Sequence, residues 1–144
     1  MLKLGDEVSI LSPATYSDDK RHDHIGKTSM VTRITASKDG TLMYGLKGIA
    51  LDTHIWSESD LQPTGRKLLE SSIGKNTIMP GEMAVIDIDG EPQERRVYSL
   101  HAEYDIFGTL IGLYYILWNS RETTQFAYIR SSREVKPTNT YTLF

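Results

Sequence analysis

Alternating apolar and polar residues divide the first half of the chain into segments with the length and composition of β-strands. These segments are residues 7–11, 28–34, 41–46 and 53–56. Between the second and third, Lys38-Asp39-Gly40 predicts a hairpin turn, because an Asp-Gly pair supplies the positive φ that tight connections need. Residues 57–61 predict a single helical turn, since Ser and Asp favour local capping bonds.

The second half follows the same plan with longer apolar runs. Strands are predicted over residues 83–88, 95–104, 109–118 and 124–129, with turns at 89–92 and 105–108 and a helical turn at 131–134. The strand 109–118 carries apolar residues on both alternating faces. A strand of this kind needs cover on both sides, which predicts either packing within the chain or self-association through residues 109–118.

One pattern occurs near each end of the chain. Gly5-Asp6-Glu7-Val8 and Gly81-Glu82-Met83-Ala84 open the two copies, and Asp60-Leu61-Gln62-Pro63-Thr64 and Glu134-Val135-Lys136-Pro137-Thr138 close them. The offset of roughly 75 residues is too long for a solenoid repeat, so it predicts two small domains. We expect a mainly β protein with one domain at 1–64, a short helical or irregular linker at 65–80 and a second domain with longer strands at 81–144.

Residues 4–64 resemble the SH3-like small β-barrel, in particular its KOW-type form. The resemblance is carried by the Gly5 opening, by Gly26-Lys27-Thr28-Ser29-Met30-Val31 entering the second strand, by Tyr44-Gly45-Leu46 and by Trp56. It implies two tandem SH3-like barrels. It also implies an alternative function in nucleic-acid binding, for which the candidate residues are Lys20, Arg21, Lys27, Arg33, Lys38 and Lys47.

Composition narrows the function classes. The chain has 144 residues, 39% hydrophobic and 24% charged, with a formal charge of −3, which is ordinary for a globular protein. This balance lowers the expectation of nucleic-acid binding, because phosphate neutralisation usually requires a cationic surplus. The absence of cysteine excludes disulfides, thiolate zinc sites and thiol nucleophiles. With no signal-peptide or membrane-length apolar run, a cytoplasmic location is expected.

The densest polar segment is residues 18–24, which contains His22 and His24 among aspartates and basic residues. Imidazoles and carboxylates at this density could hold a divalent ion, so a metal-dependent hydrolase is a distant third possibility. A solvated loop is the favoured interpretation, because no spaced set of further ligands accompanies it. No catalytic motif is present, and we predict no enzyme activity, no cofactor and no metal site.

Aromatic residues exceed what two small cores require, and Tyr and Trp are enriched in interface hot spots. The sequence therefore predicts a non-enzymatic protein-binding module. Its style resembles small accessory proteins of bacterial viruses, which implies an inhibitor or adaptor of a host protein. The candidate partner-binding residues are Tyr16, Arg21, His22, His24, Tyr104, Phe107 and Tyr115.

Overall fold

The computed structural model describes residues 2–12, 25–37, 39–47, 55–67, 78–104, 107, 109–118 and 126–138. Strands contain 67% of the described residues, so the protein is mainly β, as predicted. The chain divides into two compact units, one of Met1–Ile34 with Leu42–Ile73 and one of Thr35–Thr41 with Gly74–Phe144.

The first unit contains five strands and one helical turn. The strands are β1 (Asp6–Ile10), β2 (Thr28–Ala36), β3 (Leu42–Leu46), β4 (Trp56–Ser57) and β5 (Leu61–Lys67). A 3-10 turn at Glu58–Asp60 precedes β5. The strands are ordered β5-β1-β2-β3-β4, and β1 runs antiparallel to both β2 and β5. The last residues of β2, Thr35 and Ala36, belong to the second unit.

The second unit repeats this arrangement along the chain. Its strands are β6 (Met83–Ile88), β7 (Glu91–Tyr104), β8 (Leu110–Trp118), β9 (Phe126–Ser131) and β10 (Lys136–Pro137). A 3-10 turn at Ser132–Glu134 precedes β10. The order is β10-β6-β7-β8-β9, and every neighbouring pair is antiparallel.

The two units thus share one strand order, in which the fifth strand pairs with the first and a helical turn precedes that fifth strand. Among the described residues, no pairing joins β4 to β5 or β9 to β10. The sheets are therefore open, and the closed barrels predicted from the sequence are not confirmed. In the segment predicted as a linker, β5 continues to Lys67.

The opening glycines build the same turn in both units. Gly5 and Gly81 have φ values of 90° and 94°, a region that favours glycine because it has no Cβ. The Gly5 N–H donates to the Val31 carbonyl at 2.9 Å, and the Gly81 N–H donates to the Val97 carbonyl at 2.8 Å. These turns start β1 and β6 beside the second strand of each unit.

The core of each unit is formed by the inward residues of its alternating strands. In the first unit Val8, Ile10, Val31, Tyr44 and Trp56 are buried. In the second unit the buried set is Ala84, Ile86, Val97, Leu100, Tyr115 and Leu117. The alternation predicted for β1 is confirmed, since Val8 and Ile10 are buried, whereas β3 and β6 bury consecutive residues, 43–46 and 84–86.

A tyrosine occupies the same position in each unit. Tyr44 lies opposite Trp56, the residue before Ser57, and Tyr115 lies opposite Arg130, the residue before Ser131. Ser57 and Ser131 are the N-caps of the two helical turns, which fixes the correspondence.

The predicted turn at 89–92 is two residues shorter than expected. Asp89 and Gly90 have φ values of 53° and 86°, and β7 begins directly afterwards at Glu91. Positive φ at both central residues is the signature of a two-residue hairpin turn whose twist matches the flanking strands. The Gly90 N–H also donates to the Asp87 carboxylate at 2.7 Å. The Glu91-Pro92 pair is therefore part of the strand.

Candidate protein-binding surface

The β7–β8 hairpin of the second unit is longer than its counterpart in the first. β3 begins at Leu42, two residues before Tyr44, whereas β8 begins at Leu110, five residues before the corresponding Tyr115. Three extra residues at ~3.3 Å each extend this hairpin by about 10 Å. We call the end of the hairpin, from Tyr104 to Ile111, the arm. Residues 101–104 and 111–114 are half-buried or exposed, whereas Tyr115 and Leu117 further along β8 are buried.

The end of this arm exposes large apolar side chains. Phe107 is 86% exposed and Ile111 is 59% exposed. Tyr104, on the other strand of the arm, is half-buried, and this burial raises the pKa of its phenol to about 12. Single exposed apolar residues are common on proteins, but a largely exposed phenylalanine at the end of an extended hairpin is the kind of anchor that protein interfaces use.

Aromatic rings also cover the face of β7 and β8 opposite the core. The rings of Tyr98 and Trp118 lie 4.7 Å apart at 58°, and those of His101 and Tyr114 stack at 4.8 Å and 12°. All four side chains are half-buried. The sequence predicts that strand 109–118 needs cover on both faces, and these ring pairs provide part of the cover on the outer one.

The predicted partner-binding residues do not form one cluster. Phe107 and Tyr104 lie on the arm, whereas Tyr115 is only 3% exposed and its hydroxyl accepts a hydrogen bond from the Ile78 N–H at 2.9 Å. The Tyr115 side chain therefore belongs to the core of the second unit. The remaining candidates, Tyr16, Arg21, His22 and His24, lie outside the described residues.

The basic residues considered for nucleic-acid binding are described only in part. The side chains of Lys27 and Lys47 are exposed, and Arg33 is half-buried. Arg33 lies across Gly45, where a Cβ would stand 2.7 Å from the Arg33 Nε. Lys20, Arg21 and Lys38 lie outside the described residues, so the proposed basic face cannot be assembled from this set.

A basic and aromatic cluster that sequence reasoning missed lies on β7 and β9. The guanidinium carbons of Arg95 and Arg130 lie 6.0 Å and 5.3 Å from the centre of the Tyr128 ring, within the range of cation–π contacts. All three side chains are half-buried. Residues 95 and 130 are far apart in sequence, so sequence patterns do not show that they lie near the same ring. The available signal was Arg95, which stands two residues before the apolar Val97 in the predicted strand 95–104.

Among the described polar groups of the second unit, Ser99 and His101 lie close together. The Ser99 Oγ lies 2.8 Å from the His101 Nε2, the spacing of a nucleophile and its base, but Ser99 is almost fully buried. Its hydroxyl is closed to a substrate in this conformation. Within the described segments, no group of three or more His, Asp or Glu side chains is placed to hold a metal ion.

In the described parts of the chain, no helix has the length and apolar character needed to cross a membrane. Comparisons of the chain with protein-family models, curated proteins and solved structures found no match.

Proposed function

We propose that this protein is a non-enzymatic binding protein whose second unit inserts the tip of the β7–β8 arm into a concave apolar pocket of another protein. The observation that carries the proposal is Phe107, a large aromatic side chain that is 86% exposed at the end of the arm. An exposed phenyl ring loses its unfavourable hydration only when a partner covers it.

The form of the arm favours a pocket over a flat contact. Among the described side chains of the arm, Phe107 and Ile111 are exposed, and they lie on a segment that reaches about 10 Å further than the first unit's hairpin. A stable dimer of identical chains buries roughly 800 Å² on each copy and usually has a contiguous apolar patch. Exposed side chains at the end of a projecting arm fit insertion into a pocket better than contact across a flat patch.

We further propose that the two units are copies of one SH3-like module and that the chain acts as an inhibitor or adaptor, in the style of small accessory proteins of bacterial viruses. The shared strand order, the matching Gly5 and Gly81 turns and the helical turn before each fifth strand support the duplication. A cytoplasmic location is part of the proposal and suits a chain without cysteine.

Site-specific photo-crosslinking followed by a binding measurement tests the role of the arm. A photoreactive phenylalanine analogue at position 107 should capture a defined protein from bacterial lysate, and the same analogue at position 129 should not. Ile129 is the matched control because it is also exposed, at 65%, and lies on β9 rather than on the arm.

The captured protein, once purified, should then bind the unmodified chain in calorimetry. We expect Phe107→Ser to weaken this binding at least tenfold, a loss of about 1.4 kcal/mol, and Ile129→Ser to change it by less than about twofold. Equal affinities for the wild type and Phe107→Ser would refute the proposal. Light scattering that shows a dimer dissociated by Phe107→Ser would instead assign the arm to self-association.

A further inference from the structure

Two cross-strand pairs lie on the outward face of β7 and β8 at the base of the arm. His101 lies opposite Tyr114, and two residues further along Glu103 lies opposite Gly112. Because successive side chains of a strand alternate between faces, both pairs lie on the face opposite the buried Tyr115. Opposed positions are roughly 5 Å apart and successive positions on one face of a strand roughly 7 Å apart. We call these four positions the outer patch.

One corner of the outer patch is empty. Gly112 has no side chain, and a Cβ built there would have no atom beyond its chain neighbours within 4 Å. Its backbone does not need glycine, because the positive-φ glycines are at other positions. A glycine inside a strand often marks a place where a ligand or another chain approaches closely. The missing side chain therefore leaves room for a group from outside the chain, next to Glu103 and Tyr114.

The opposite corner holds an anion. The Glu103 side chain is exposed, and the position facing it across the strands carries only the hydrogen of Gly112. In the part of the chain that the structure describes, the Glu103 carboxylate has no hydrogen bond or ion pair. A cationic group that entered the empty corner would thus meet a carboxylate that is available to accept its hydrogen bonds.

The other side of the outer patch is aromatic and fixed in place. The His101 and Tyr114 rings stack at 4.8 Å and 12°, and a hydrogen bond of 2.8 Å joins the His101 Nε2 and the Ser99 Oγ. Cover over this face decreases towards the arm, since Ser99 is buried, His101 is half-buried and Glu103 is exposed. The rings therefore form a wall whose position is set before any ligand arrives.

We propose that Glu103, Gly112 and the stacked rings beside them bind a single arginine side chain of the partner protein. This inference rests on the proposed protein-binding role of the arm and names a side chain that the partner places at its base. The planar guanidinium matches two carboxylate oxygens, and its flat face and aliphatic stem pack well on aromatic rings. The ammonium of lysine is more strongly hydrated and lacks the planar fork, so it gains less from these groups.

The test uses the full chain and N-acetyl-arginine amide, with N-acetyl-citrulline amide as the matched neutral probe. The readout is the NMR shift of the backbone amide signals of Glu103 and Gly112 at about 150 mM salt, where distant exposed charges are largely screened. We expect the arginine compound to shift both signals along a saturating curve. The citrulline compound has nearly the same shape without the charge, and it should bind at least about fivefold more weakly.

Three variants separate the charge of the outer patch from its open space. Glu103→Gln removes the charge at nearly constant shape, and Gly112→Val fills the empty corner with a residue that suits a strand; each should weaken arginine binding at least about fivefold. Glu91→Gln removes the same charge from an exposed position at the other end of β7 and should change binding less than about twofold. Thermal melts establish that each variant is folded before its binding is interpreted.

Four results would overturn the proposal. They are a wild-type titration without saturating shifts, equal binding of the arginine compound and either its citrulline or its lysine counterpart, equal weakening in Glu103→Gln and Glu91→Gln, and unchanged binding in Gly112→Val.

The Phe107→Ser variant distinguishes this site from the arm itself, because it should bind the arginine compound within about twofold of the wild type. Arginine binding without protein capture at position 107 would refute the insertion of the arm alone. Protein capture at position 107 without arginine shifts would refute the arginine site alone.

Discussion

Tyr44→Phe and Tyr115→Phe should lower the free energy of unfolding by different amounts, although the two tyrosines occupy equivalent positions in the two units. The Tyr115 hydroxyl accepts the hydrogen bond of the Ile78 N–H at 2.9 Å, in a buried setting. Tyr115→Phe removes the oxygen and leaves a buried backbone donor without its acceptor. An orphaned buried donor costs about 1–3 kcal/mol.

The first unit satisfies the equivalent donor in another way. The Leu2 N–H donates to the Glu58 Oε1 at 3.0 Å, and the Tyr44 hydroxyl donates to the same oxygen at 3.3 Å. After Tyr44→Phe the Leu2 N–H keeps the Glu58 carboxylate as its acceptor, so no buried donor is orphaned. We expect this variant to cost about 0.5–1 kcal/mol.

Urea titration of the wild type and both variants, with the slope held constant, measures the two free energies of unfolding. Tyr44→Phe serves as the matched control for Tyr115→Phe, since both remove one hydroxyl from a buried ring. The reasoning is refuted if Tyr44→Phe costs as much as Tyr115→Phe, or if Tyr115→Phe leaves the free energy of unfolding unchanged.

The same two residues predict a loss of stability in alkaline solution. Burial is the main reason that the pKa of Tyr44 rises to about 12, with the Glu58 carboxylate adding to the effect, and burial also raises the pKa of Tyr115. Above pH ~10 the unfolded chain releases the phenolic proton while the folded chain retains it, so unfolding becomes more favourable with rising pH.

This contribution is complete below pH ~10 and disappears as the pH approaches ~12. For Tyr44 alone it amounts to at most about 2–3 kcal/mol, at ~1.4 kcal/mol for each pH unit. In Tyr44→Phe the decline of the free energy of unfolding between these pH values should therefore be shallower than in the wild type. Parallel curves for the two proteins would contradict the assignment.

Three further predictions concern the backbone and its turns, each read out as the free energy of unfolding. Gly45→Ala should cost less than about 1 kcal/mol, because the new Cβ would stand 2.7 Å from the Arg33 Nε and the end of this flexible side chain can move aside. Arg33→Ala should remove the cost in the double variant, and Gly112→Ala, with no atom within 4 Å, is the control. Additive costs would count against the contact. Gly90→Ala should cost at least ~1 kcal/mol because its φ of 86° disfavours a Cβ, and a neutral result would mean that the turn relaxes. Ser131→Ala should cost about 0.5–1 kcal/mol through the lost hydrogen bond to Glu134, and an unchanged free energy would show that the bond adds nothing to the turn.

Local chemistry was sufficient to predict much of the fold. The Asp-Gly pair at 89–90 predicts a turn, because few residues other than glycine and aspartate accept positive φ. The Ser-to-acid spacing at 57–60 and 131–134 predicts helical turns, since the carboxylate reaches back to the N-cap three residues earlier. Strand boundaries were predicted less accurately. The sequence predicted a turn at 89–92, because nothing in Glu91-Pro92 shows that these two residues already belong to the strand.

The sequence was informative about some candidate site residues and misleading about others. Phe107 was predicted as a partner-binding residue, and it is 86% exposed in the structure. Tyr115 was assigned to a surface, but alternation along a strand that is apolar on both faces does not tell which face is inward. The pairing with Leu100 on β7 and the bond to Ile78 decided that question.

By itself, the sequence determined the β-rich class and the turn at Asp89-Gly90, because backbone conformation and periodicity are local properties of the chain. Only the tertiary structure decided which residues meet: that the sheet stays open, that Tyr115 contacts Ile78, and that Arg95 and Arg130 lie near the ring of Tyr128. These features depend on strand pairing between residues distant in sequence, and the register of such pairing is set by the packing of the whole sheet.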